Sequence, residues 1–64
     1  MQRNDSERLH LAADFSDSAA IELSIAAAKL EMQGDTAVAN ALRAEARKHR
    51  TEAMRLRAMA AGGA

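Results

Sequence analysis

The chain has 64 residues, nine basic and nine acidic side chains, no cysteine, no proline and a single aromatic residue, Phe15. That length allows one small domain that hides only about 60% of the surface its unfolded form exposes. The missing cysteines exclude a disulfide framework, a thiol nucleophile and a cysteine-ligated zinc. No segment approaches the ~20 consecutive apolar residues of a membrane span, and the first residues lack the apolar stretch of a secretory signal. The expectation is a soluble, cytoplasmic, all-α protein.

The first helix is expected over about 6–33. Asn4, Asp5, Ser6 and Glu7 supply a capping residue with a carboxylate three positions on, much like a capping box. Asp14, Phe15, Ser16, Asp17 and Ser18 form a second cluster of cap-prone residues, so a break near 16–18 is the alternative to one continuous helix. Arm length favours continuity, because a helix beginning at Asp17 leaves half of the second helix uncovered. The strong interruption is Gln33-Gly34-Asp35-Thr36. A glycine just past a helix end accepts the left-handed backbone, and an aspartate after it caps the next helix. Thr36 to Ala60 then contains neither glycine nor proline and is rich in Ala, Leu, Arg, Glu and Met, all strong helix formers. The second helix is therefore expected over about 36–60. Together they predict an antiparallel two-helix hairpin over 1–64 as a single domain, frayed at 1–5 and 61–64.

Spacing at about 100° per residue sorts each helix into faces. On the first helix Leu9, Ala12, Phe15, Ala19, Leu23, Ala26, Ala27 and Leu30 make one stripe, the expected seam. Ile21, Ile25, Ala28 and Met32 make another on the opposite side. On the second helix Val38, Leu42, Ala46, His49, Ala53, Leu56 and Ala60 line up inward, with Met54 and Ala58 further round. A helix apolar on two sides is expected to be buried on two sides, since leaving a large aliphatic side chain in water forfeits about 1.5–3 kcal/mol. Residues Ile21, Ile25, Ala28 and Met32 are thus the expected dimer or partner interface. Two copies would form a four-helix bundle, in coiled-coil fashion.

The zero net charge hides a split. Residues 1–42 hold three basic and seven acidic groups; residues 43–64 hold six basic and two acidic. Arg43, Arg47, Arg50 and Arg55 are candidate contacts for an acidic protein surface or for phosphate. Antiparallel pairing about the turn predicts Asp14 beside Arg55, Asp17 beside Glu52 and Arg55, and Ala12 beside Arg57, so one arm neutralises much of the other. No aromatic platform for stacking bases accompanies the arginines. His49 is the polar residue of the inner stripe, with Glu45 and Glu52 one turn away on either side. Glu45 and His49 are weak candidate metal ligands; a histidine hydrogen-bonded to one of those carboxylates is the plainer expectation. His10 is expected in water. There is no phosphate loop, nucleophile elbow or carboxylate pair, so no enzyme and no cofactor are expected. The sequence points to a small protein-interaction module: an adaptor, accessory subunit or inhibitor that pairs with itself or with a helical surface of another protein. A dimeric nucleic-acid-binding regulator using the basic second helix is the alternative.

Overall fold

The computed structural model describes residues 3–62, with side chains from residue 4 onward. It contains two α-helices, α1 over Arg3–Met32 and α2 over Thr36–Gly62, packed side by side in a ribbon of 48 × 16 × 10 Å. The expected hairpin is present, with longer arms. Arg3, Asn4 and Asp5 are helical, as are Ala61 and Gly62. Residues 1, 2, 63 and 64 lie outside the described residues. Asp5 in the first turn of α1 and Lys29 in its last turn oppose the helix dipole at each end. The helix runs unbroken through 16–18. Ser16 is buried there and Asp17 is held by Arg57 across the hairpin at 2.7 Å. Tertiary packing thereby outweighs the local preference of these residues for a cap.

The turn is built as its residues suggest. Gly34 has a φ of +87°. Its N–H donates to the Glu31 carbonyl at 3.0 Å, and the Asp35 N–H donates to the Leu30 carbonyl at 2.9 Å. This pair of bonds is the Schellman arrangement, which satisfies the last carbonyls of α1. Asp35 then caps α2: its side-chain Oδ1 accepts from the Val38 N–H at 3.4 Å, and its own carbonyl accepts from the Ala39 N–H at 3.1 Å.

The seam differs from the expected stripe by about one position along the first half of α1. The fully buried hydrophobic residues are Ala13, Ala20 and Ala27 on α1 and Ala39, Ala46 and Ala53 on α2. Each set recurs every seventh residue. Beside them runs a second row at the same interval, Leu9, Ser16, Leu23 and Leu30 on α1 and Leu42, His49 and Leu56 on α2, half-buried except for the buried Ser16. Ala12, Phe15 and Val38, assigned to the seam above, are exposed, and Ala19 and Ala26 stand at its margin. A step from 9 to 12 to 15 takes two threes in succession and drifts off the contact line. Two helices stay in contact only when threes and fours alternate, a seven-residue repeat closed by slight supercoiling. The bulk of Phe15 argued for burial, but the repeat excludes it. No large side chain is fully buried among the described residues: alanine at the closest approach lets the backbones come together and leaves the larger groups to the flanks.

Candidate interaction surfaces

The hydrogen bonds between the arms show which way the ribbon faces. Arg43 of α2 bonds Glu31 at 2.7 Å. Arg50, seven residues on, donates to the Ser24 hydroxyl at 2.8 Å. Arg57, seven further, reaches Asp17 at 2.7 Å and Asp14 at 2.8 Å. A step of seven on α2 is answered by a step of seven on α1, so these residues form one ladder along one broad face. Arg57 thus takes both aspartates that the sequence paired with Arg55; Arg55 instead pairs with Glu52 on its own helix. The hydrogen bond from Arg43 and its positive charge hold the Glu31 carboxyl below its ordinary value of 4.5. Arg55 does the same for Glu52. Asp17 and then Asp14 raise the Arg57 guanidinium further. These groups are solvated, so salt screens them readily.

In an antiparallel helix pair the rows on either side of the central row lie on opposite faces of the ribbon. With the arginine ladder on one broad face, the leucine rows of both helices lie on the other. That face carries Leu9, Leu23 and Leu30 beside Leu42 and Leu56, bordered by Ala12, Ala19 and Ala26 on α1 and by Val38 and Met59 on α2. Glu45 and Glu52 also border it, and they are engaged by Lys48 at 3.0 Å and by Arg55 respectively. His49 and Ser16 interrupt the two leucine rows.

The expected partner surface is a third feature. Ile21 is 59% exposed, Ile25 52% and Met32 89%, with Ala28 exposed between them. All lie on the back of α1, away from α2. Leu11 at 69% and Phe15 at 77% extend the same ridge toward the N-terminus. The sequence reading missed both. Leu11 is in step with Ile25 and Met32 at intervals of seven and fourteen, a signal that was available. The expected stripe of four residues is thus one half of an apolar ridge that runs nearly the length of α1.

The other candidate residues are dispersed. Arg43 and Arg50 belong to the ladder, Arg55 points to Glu52, and Arg47 is exposed elsewhere on α2. They do not share one ridge. His49 is half-buried in its row, while its neighbours Glu45 and Glu52 are bonded to Lys48 and Arg55 rather than to its ring. Among the described residues no group of three or more His, Cys, Asp or Glu gathers as a metal site. His10 is exposed. No described helix is long and apolar enough to cross a membrane. No family model, curated protein or solved structure matches the chain.

Proposed function

We propose that the protein is a non-enzymatic interaction module, an adaptor, accessory subunit or inhibitor, that works by packing its helices against other helices, as a homodimeric bundle or on a larger protein. One observation carries this reading: α1 is apolar on its back as well as on its inner side, with Ile21, Ile25 and Met32 open to water. Large apolar side chains contribute about 1.5–3 kcal/mol each when covered, whereas the hairpin's own buried core is made of alanines, each worth about 0.8 kcal/mol per methyl. Covering the ridge therefore gains more per residue than forming the seam. Flanking charges set orientation.

Replacing Ile25 with Asp tests this. The hairpin tolerates the change because the side chain does not enter the seam. Tagged wild-type chain in native lysate is expected to run in a larger complex than Ile25→Asp. Equal sizes would remove the ridge from the mechanism. The nucleic-acid reading has its own check: Arg47→Glu with Arg50→Glu should abolish a mobility shift at low salt if the arginines grip phosphates, and an unchanged shift excludes that role.

A further inference from the structure

Three arginines of α2 reach across the hairpin, and the middle one meets no carboxylate. Arg43 ends on Glu31 and Arg57 on Asp17 and Asp14, but Arg50 ends on the Ser24 hydroxyl at 2.8 Å. That bond uses one N–H of the guanidinium and leaves its charge uncompensated. Among the described residues neither Arg50 nor Arg47 has an ion pair. Arg47 precedes Arg50 by three positions, which sets both on the same side of α2, and both are exposed. No Asp or Glu lies three or four positions from Arg47, Arg50 or Ser24. Arg43 stands one turn before Arg47, so like charges follow one another here at spacings that destabilise a helix. We propose that Arg47 and Arg50 receive two carboxylates, one turn apart, from an amphipathic helix of a partner protein. This rests on the reading that the chain acts through helix packing, and it gives the partner helix its charge.

Charge and spacing select that occupant. A guanidinium fork bonds a carboxylate through two parallel N–H groups, and the Ser24 hydroxyl holds the Arg50 fork in place beforehand. The positive stretch is short. The neighbouring rungs of the ladder lie seven residues away on either side, roughly 10 Å along the helices, and carboxylates already close both. The rung at Arg57 carries two aspartates for one arginine. A DNA duplex brings one charge per roughly 1.7 Å of its axis and would run onto those acidic rungs, with no aromatic side chain near the arginines to stack a base. Two carboxylates one helical turn apart end where the positive stretch ends. Apolar groups border the same place. Ile21, 59% exposed, precedes Ser24 by three positions, and Met54, 64% exposed, follows Arg50 by four. Both fall between the rung at Ser24 and the rung at Asp17, Ile21 on one edge of the ladder face and Met54 on the other. A free anion covers neither. A helix about 10 Å wide, seated along the groove between α1 and α2, meets both edges and the two arginines together.

A synthetic amphipathic peptide, with leucines on one face and glutamates one turn apart beside them, tests the proposal; its glutamine analogue is the control. In NMR of the unaltered chain at low salt, the guanidinium Nε–H signals of Arg47 and Arg50 should shift on titration with the glutamate peptide, and those of Arg43 and Arg57 should stay. The glutamine peptide should bind about tenfold or more weakly. Ser24→Asp is the discriminating variant, because it sets a carboxylate on the open rung at little change in helix propensity. It should raise the melting temperature and weaken binding of the glutamate peptide about tenfold, a combination that loss of folding does not produce. Arg47→Gln removes a charge that bonds nothing in the hairpin, so affinity should fall with the melting temperature unchanged. No shift at Arg47 and Arg50, equal binding of the two peptides, or binding indifferent to both variants overturns the assignment. Tighter binding of duplex DNA that is lost in the same variants gives the two arginines to nucleic acid and overturns it as well, as does an equal response to inorganic phosphate. The interaction reading fails or stands separately: a larger complex in native lysate that is lost on Ile25→Asp but kept on Ser24→Asp leaves that reading standing and removes this site from it.

Discussion

Gly34 occupies left-handed backbone, with open space where a side chain would project. An alanine there meets no atom but must hold φ at +87°, which costs about 1–2 kcal/mol for an L-residue with a Cβ. Gly34→Ala should lower the urea midpoint accordingly, and Gly34→Asn should lower it less, because asparagine enters this region more readily. Phe15 makes the opposite case. A buried phenylalanine loses about 3–5 kcal/mol on truncation, but Phe15 is exposed, so Phe15→Ser should shift hairpin stability by no more than about 0.5 kcal/mol. A larger loss in thermal unfolding would return the ring to the seam. Glu31 gives an acid-dependent contribution. Its folded value lies below 4.5 because of Arg43, so its contribution is complete above the unfolded value and disappears as pH falls through the folded one. Melting temperature should drop between about pH 6 and about pH 3, and Glu31→Gln should flatten that drop. The turn residues were readable from sequence because their roles depend on neighbours within a few positions. Phe15 was not, because its exposure depends on the phase of a helix contact that no local preference encodes.

At the scale of the element, α1 and α2 share a seven-residue repeat with alanine at the point of closest approach. Ala46 has no exposed surface, and Ala46→Leu should destabilise the hairpin by about 1–3 kcal/mol through overpacking. Ala58→Leu, on the exposed side of α2, should be nearly neutral; comparison of the two melts checks the phase of the seam. Helix type, number and turn were legible from composition and the single internal glycine. The seam was legible on the second half of α1 and most of α2, where Leu23, Ala27, Leu30, Leu42, Ala46, Ala53 and Leu56 were placed inward. It slipped at Phe15 and Val38, where a bulkier or more apolar residue sits one position from the small one that packs, and at Ala12, whose packing neighbour Ala13 is the same residue type one step along the helix. Hydrophobicity ranked the wrong neighbour first, because close helix approach selects size before hydrophobicity.

At the scale of the whole molecule, the hairpin presents a polar ladder, a leucine face and an apolar ridge. If partner burial holds the fold, melting temperature should rise with protein concentration; a concentration-independent melt would contradict self-association. His49→Leu extends the leucine row across the midpoint of α2 and should raise the melting temperature. A lowered melting temperature would show that the imidazole contributes to the stability of the hairpin. The ladder also explains why the basic second arm is a poor guide to partners: Arg43 and Arg57 are already bonded to the acidic arm.

From the amino-acid order alone came the helical class, the turn at Gly34, the antiparallel arms and the apolar back of α1, since propensity, capping and period act over a few residues. The three-dimensional packing alone decided which row meets which: the alanines that touch, the leucines that share one face, the arginine that takes Asp14 and Asp17. Those choices depend on how two helices wind about each other, and a supercoil is a property of the pair that neither strand of sequence carries by itself.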